Sequence, residues 1–168
     1  MNKNNYYSLF NFRFIVKKVT IETHKEHLAP YFKSLNEEWL KRFFVIEPID
    51  QKVLSQPTKL INEGGQILYA SIDGMVVGCV ALKHHGQGTF ELTKMAVTQS
   101  HQAHGIGTQL MQSCIDYYQT INGKKLYLES HSSLKPAIKL YQRFGFVAMP
   151  TPFESDYQRS DFYMEYIK

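Results

Sequence analysis

Residues 91–111 read ELTKMAVTQSHQAHGIGTQLM, a run that passes from strand-like sequence through a polar turn into an amphipathic pattern. Two glycines, Gly105 and Gly107, stand where the helical pattern begins. Glycine in a helix costs about 1 kcal/mol relative to alanine, so a pair at a helix start asks for a reason. A helix N-terminus leaves its first amide N–H groups unpaired, and its dipole favours negative charge there. Glycines also let a bulky anion come close to the main chain. The turn HQAHGIGT (101–108) therefore suits a phosphate or pyrophosphate, with a ligand-free glycine turn as the alternative on this stretch alone. Two phosphate classes fit poorly. A nucleotide P-loop needs Lys-Ser/Thr after its last glycine, where this chain has Thr108-Gln109. A dinucleotide fingerprint needs a third Gly or Ala where Leu110 stands, inside an early βαβ unit.

Working outward, TFELTKMAV (89–97) reads as a strand, and QILYASIDGMVVGCVALKHHG (66–86) before it as a hairpin turned at Asp73-Gly74. Upstream, FRFIVKKVTI (12–21) reads as a first strand and residues 27–44 as a helix with Pro30 in its first turn. EPIDQKVLSQPTKLI (47–61) reads as a second helix ending before Pro57. Downstream, residues 105–121 form a helix with Leu110, Cys114, Tyr117 and Ile121 on one side, ended by Asn122-Gly123. KKLYLES (124–130) is a strand. SLKPAIKLYQRFG (133–145) is a helix whose Ala137, Leu140, Tyr141 and Phe144 share a face, and FVAMP and DFYMEYIK close the sheet. The order predicts an α+β fold: a central, mostly antiparallel mixed sheet flanked by helices, with a crossover from 89–97 to 124–130.

The 168 residues fit one domain spanning 1–168, in which the polar, tyrosine-rich residues 1–9 read as a loose segment. Hydrophobic residues at 43% supply a sizeable core, and 20% charged residues argue against disorder. The net charge of +4 suits an anionic ligand, but the absence of a dense Lys/Arg run speaks against nucleic acid. Cys79 and Cys114 sit in apolar surroundings and read as reduced core residues. No apolar run approaches membrane-span length, and the N-terminus, with Arg13 in its most apolar part, makes a poor signal peptide. A cytoplasmic location is expected.

The stretch 91–111 followed by LYLESHSSLKPAIKLYQRFGF (126–146) resembles the GNAT superfamily of acyl-CoA-dependent N-acyltransferases. The resemblance spans residues 66–147 well and the first 60 residues only in order of elements. Its signature turn, Gln/Arg-x-x-Gly-x-Gly/Ala, is met by Gln102, Gly105 and Gly107, and a later A-x-x-L-Y-x-x-x-G-F by Ala137, Leu140, Tyr141, Gly145 and Phe146. The resemblance implies acetyl-CoA or a related acyl-CoA as cosubstrate. Main-chain amides of Gln102, Ala103, His104, Gly105, Ile106, Gly107 and Thr108 would cradle its pyrophosphate, and the strand at Met95, Ala96 and Val97 would pair with its pantetheine arm, as in strand addition. Two positions depart from the pattern: His104 stands where relatives often have Arg, and His131 where many carry a coenzyme-contacting Asn.

Acyl transfer to an amine needs a neutral amine, a stabilised carbonyl oxygen and a proton for the departing thiolate. Glu91 is the candidate base, acting through water, because strict alternation puts Glu91, Thr93, Met95 and Val97 on one strand face. A bulge would break that phase. Tyr141 matches the family tyrosine that donates to the coenzyme sulfur, and the Met95 N–H is the candidate carbonyl polariser. Trp39, Arg42, Tyr157 and Arg159 lie in segments that border the acceptor cleft in relatives. An arginine pair there would clamp a carboxylate, pointing to an amino-acid or peptide-like amine. Glu37 and Glu38 offer a polyamine alternative, set against a plain solvated helix face.

The expected function is transfer of an acetyl group from acetyl-CoA to a primary amine of a small molecule, amino acid or peptide. The alternative is a non-catalytic acyl-CoA sensor or interaction module. The close pairs His84-His85 and His101/His104 lack further ligands at metal spacing, so no metal is expected. No Gly-x-Ser-x-Gly elbow suggests a hydrolase. A monomer or homodimer is expected, the latter through an edge strand near the C-terminus.

Overall fold

Proline placement explains how the helices begin. The computed structural model describes residues 18–167. Helix α1 (Ala29–Phe43), α2 (Pro48–Leu54), α3 (Pro57–Asn62) and α5 (Lys135–Arg143) each carry a proline at their first or second position. The missing N–H costs nothing there and the ring presets the helical φ. Pro30 thus falls in the first turn as its sequence suggests. Pro57 does more than end α2: it starts a third helix, where the sequence predicts only the end of the second. α2 opens on a reciprocal capping box in which Glu47 and Asp50 bond each other's main-chain N–H.

The first strand, β1 (Val19–Thr23), lies at the end of the expected 12–21 segment. Residues 12–17, like the loose segment 1–9, fall outside the described residues. β2 (Gln66–Ile72) and β3 (Met75–His84) form the hairpin, with Asp73 and Gly74 at φ 51° and 80°, as a two-residue primed turn requires. β4 (Thr89–Val97), α4 (Ile106–Thr120), β5 (Lys125–Ser130), β6 (Phe146–Ala148) and β7 (Phe162–Tyr166) complete the chain.

The described strands form one sheet in the order β1-β2-β3-β4-β5-β7-β6. β4 and β5 run parallel across the α4 crossover; the other neighbours are antiparallel. The sheet is the mixed, helix-flanked one predicted. Three-residue β6 pairs with β7, so the edge near the C-terminus is β6.

Both faces of the central strands are covered. One core gathers α4 residues Ile106, Leu110, Met111 and Cys114 against Leu68, Val80, Leu82 and Leu92. The other packs Leu28, Phe32, Leu35 and Leu40 onto Ile67, Tyr69, Cys79 and Ala81. Cys79 and Cys114 are free and buried, and burial pushes both thiols up to about 12. Among the described residues no helix is long and apolar enough to cross a membrane.

Two irregularities in β4 make room for a site. β4 and β5 pair at Thr89–Lys125, Phe90–Leu126 and Glu91–Tyr127, and their recorded pairing stops there although β4 runs on to Val97 and β5 to Ser130. On its other side β4 bulges against β3: Ala81 faces Thr93, but Cys79 faces Ala96. The extra residue is Lys94, held at φ 53°. The bulge reverses the inside–outside phase of the strand.

Candidate active site

The bulge corrects one expectation. Glu91 and Thr93 lie on the α1 side of the sheet, opposite Lys83 and Ala81, and Ala96 joins them there. Met95 and Val97 pack against the α4-side core. The four residues Glu91, Thr93, Met95 and Val97 therefore do not share a face. Glu91 and Met95 nevertheless meet at the same opening, because the strands part between them.

That opening is a cleft whose empty space, mouth included, is about 730 Å³. Glu91, Lys94 and Met95 form the β4 lip, and Glu129, Ser130 and His131 the β5 lip. α1 contributes Trp39, the residue after it Phe44, α5 contributes Tyr141, and the segment before β7 contributes Tyr157 and Arg159. Seven of the sequence-predicted site residues thus converge: Trp39, Glu91, Met95, His131, Tyr141, Tyr157 and Arg159.

Glu91 is 5% exposed. Its Oε2 lies 2.9 Å from His85 Nε2, which lies 3.1 Å from the Tyr127 hydroxyl. A carboxylate only accepts, so Nε2 carries the hydrogen when the first bond forms. Tyr141 is buried, and burial pushes its phenol up to about 12 against the pull of a hydrogen bond with Ser130. It therefore holds its proton at neutral pH. His131 stands at the cleft wall with Nδ1 2.7 Å from Ser133 Oγ and its ring edge-on to Phe44.

The turn ahead of α4 explains its two glycines separately. Gly105 caps the helix at φ 77°, a left-handed conformation that favours glycine; a Cβ there would meet nothing within 4 Å. Gly107 needs no special φ, and a Cβ on it would touch Leu140 Cδ2 at an ordinary 3.7 Å. The fold therefore demands glycine at 105 by conformation and does not demand it at 107. Ala103, His104 and Gly105 are exposed, with Ala103 also left-handed at φ 62°. The first-turn N–H groups at Ile106, Gly107 and Thr108 have no intrahelical acceptor. The Gln102 side chain turns back, its Nε2 donating to the Val97 carbonyl at 2.9 Å and tying the turn to the end of β4.

The expected arginine clamp does not form. Arg42 is exposed, 5.1 Å over the Phe43 ring and away from the cleft lining. Arg159 reaches the cleft, but its Nη1 and Nη2 donate to Asp50 at 2.7 and 2.8 Å, and Nη1 also to Glu47 at 2.9 Å. Lys94 Nζ donates to the same Asp50 at 2.7 Å. Glu37 and Glu38 lie outside the cleft lining: Glu37 sits near Lys33 and Lys41, and Glu38 accepts from the Gln99 N–H. Among the described residues no three His, Cys, Asp or Glu side chains are placed to hold a metal.

Burial raises the Asp50 carboxyl, but the Arg159 hydrogen bonds and the charge and hydrogen bond of Lys94 outweigh it, holding the group below its ordinary value. Burial lowers the Lys94 ammonium more than Asp50 raises it. The two shifts pull in opposite senses for the pair; the Asp50 carboxylate is the secure member, since Arg159 supports it as well.

Sequence reasoning missed Lys94, Asp50, Glu129, His85 and Tyr127. Tyr127 and Glu129 carried a readable signal: alternation on one strand puts them on one face, and Glu91 pairs with Tyr127 across the parallel ladder. Asp50 carried another in its spacing from Glu47, the capping box.

The sequence pattern described as the acetyltransferase (GNAT) family matches residues 22–146. An uncharacterized N-acetyltransferase of Schizosaccharomyces pombe is 28% identical over 120 residues, covering 68% of this chain and 74% of the relative. A GNAT-family acetyltransferase from Staphylococcus aureus Mu50 superimposes with a TM-score of 0.78 at 20% identity, over 89% of this chain and 98% of that one. A Salmonella typhimurium protein solved with its cofactor acetyl-CoA superimposes with a TM-score of 0.68 at 17% identity, over 88% and 92% of the two chains.

Proposed function

The chain belongs to the acetyltransferase (GNAT) family, and from that premise we propose that it carries an acetyl group from acetyl-CoA directly to a primary amine in the cleft between β4 and β5. One observation carries the reading. The parting of β4 and β5 beyond Glu91 and Tyr127 opens a cleft that brings a buried carboxylate and a buried, protonated phenol together, and Gly107 in the first turn of α4 lies against Leu140, the neighbour of that phenol in sequence. In this reading the amides of residues 102–108 hold the pyrophosphate, and the β4 edge around Met95, Ala96 and Val97 holds the pantetheine arm. His131 lines the coenzyme's passage. The relative solved with acetyl-CoA supports this choice of donor.

The chemistry follows from the groups present. The amine, delivered as an ammonium, loses a proton through water to Glu91. Its nitrogen attacks the thioester carbonyl, whose oxygen the Met95 N–H polarises. A C–N bond forms, the C–S bond breaks, Tyr141 gives its proton to the departing sulfur, and the second proton of the new amide nitrogen returns through water to the Tyr141 phenolate. His85 fixes the Glu91 carboxylate by the 2.9 Å hydrogen bond. Trp39 and Tyr157 form the acceptor walls.

The test is free-thiol release from acetyl-CoA across a panel of amines, amino acids, polyamines and peptides. Amine-dependent release with one acetylated product per thiol is expected. Coenzyme binding without acceleration by any amine would favour a sensor.

Gly107→Ala tests whether the turn needs glycine at both of its positions. The methyl fits the fold, and alanine favours the helix. The melting temperature is expected to hold or rise. The affinity for acetyl-CoA is expected to stay within about threefold, or ~0.7 kcal/mol, because the signature turn accepts alanine at this position and the methyl meets only the Leu140 side chain. Differential scanning fluorimetry and calorimetry check the two halves.

A further inference from the structure

Two cations face the acceptor half of the cleft, and both are spent. Lys94, its side chain 5% exposed, gives its ammonium to Asp50 and lies 4.4 Å over the Tyr157 ring. Arg159 gives its planar fork to Asp50 and Glu47. Lys94 and Arg159 are thus matched charge for charge by Asp50 and Glu47. Two carboxylates of the lining remain, Glu91 on β4 and Glu129 on β5. Ser155 Oγ donates a short hydrogen bond to Glu129, which leaves its charge in place. His85 can add one positive charge, but its Nε2 sits on Glu91 and cancels at most one of the two. His131 Nε2 lies 3.7 Å from the Asp161 carboxylate, its own counter-charge. The other walls are Trp39, Leu40, Phe44 and Tyr157.

We infer that this cleft takes amines with no carboxylate beside the nitrogen, and turns away free amino acids. The inference rests on the cleft being the acceptor site of the acetyl transfer above. An ammonium approaching between Glu91 and Glu129 is attracted. A carboxylate two bonds from that nitrogen meets the same two charges and finds no unpaired cation among the described lining residues to bind it. An amide in place of the carboxylate removes the repulsion and keeps the shape. Glu129 becomes a specificity-determining residue, and the Asp50–Lys94–Arg159 cluster is what withholds the cations.

Three acceptors with one side chain test it on the intact chain: L-leucine, L-leucinamide and 3-methylbutylamine, with kcat/KM expressed per neutral amine. Leucinamide and 3-methylbutylamine are each expected to exceed leucine by at least about thirtyfold. The alkylamine titrates near 10.4, far above a peptide α-amine near 7.7–8.0, so an excess shared by both does not come from proton affinity. Similar values for the two place the discrimination on the carboxylate alone, whereas leucinamide well above 3-methylbutylamine marks the adjoining amide, as in a peptide N-terminus, as a further contact. Both patterns support the inference. In Glu129→Gln, whose side-chain oxygen can keep the Ser155 bond, the leucinamide-to-leucine ratio is expected to shrink at least threefold. Leucine turned over as well as leucinamide would overturn the inference and leave acetyl transfer standing. An unchanged ratio in Glu129→Gln would overturn the role of Glu129. No thiol release with any of the three or with any other amine of the panel, acetyl-CoA binding intact, would defeat both readings together.

Discussion

Glu91→Gln and Tyr141→Phe are each expected to lower kcat by about 10²–10⁴-fold, the usual range for losing a positioned general base or acid, while acetyl-CoA affinity changes little. The two substitutions are nearly isosteric. Glutamine keeps an oxygen that can face His85 Nε2, and phenylalanine keeps a ring 6.3 Å from Phe146. The lost Ser130 bond costs about 1 kcal/mol of stability, too little to unfold the chain. A fall in kcat without a matching change in coenzyme affinity separates transition-state groups from binding groups. The pH profile adds a second reading. Burial holds the Tyr141 phenol up to about 12, so the acid stays protonated across the usual assay range. Rate should climb as the amine loses its proton and then level, with no alkaline fall from Tyr141 below that value. Stopped-flow thiol release between pH 6 and pH 10, a window around amine pKa values near 7.7–10.4, checks it. If neither variant loses turnover, the assignment of both residues fails.

The second large effect is on stability. Asp50→Ala is expected to cost about 3–5 kcal/mol, the range for removing one partner of a buried ion pair. Asp50 is fully buried and accepts from Lys94 Nζ, from both terminal nitrogens of Arg159 and from the Glu47 N–H. Its loss strands a buried ammonium and half of the Arg159 fork, and it removes the reciprocal cap of α2. With total stabilities of ~5–15 kcal/mol, this is a large share. The acid limb gives the sign. Asp50 titrates below its unfolded value near 3.9, so its contribution is complete above that pH and is lost as pH falls through the folded value. The deficit of Asp50→Ala relative to the wild type should therefore be full at pH 7 and shrink in strong acid. Urea melts at several pH values measure it; a constant deficit, or one below about 1 kcal/mol at pH 7, would contradict the account.

What could be read from the chain depended on how local its cause is. The turn at Gly105 and Gly107, the helix that carries Tyr141 and the Asp73-Gly74 hairpin follow from short-range patterns, and the structure has all three. The crossover to a parallel strand followed from a helix between two strands. The phase of β4 could not be read, because Lys94 bulges to suit β3 and to reach Asp50, 44 positions earlier. The role of Arg159 could not be read either: its partners lie 109 and 112 positions away. Arg42 and Arg159 looked alike in sequence; one lies on an exposed helix face and the other in a buried ion cluster. Pro57 is legible as a helix end, but its equal fitness for a helix start was resolved only by packing, with Leu60 of α3 buried in the α1-side core.

The account rests on main-chain donors gripping the coenzyme ahead of α4 and along the end of β4. Amide hydrogen exchange on the intact chain, with and without saturating acetyl-CoA, tests that grip directly. Slowed exchange at Met95–Val97 and at Ala103–Thr108 is the predicted result. Unchanged exchange at those amides, with the coenzyme demonstrably bound, would contradict it.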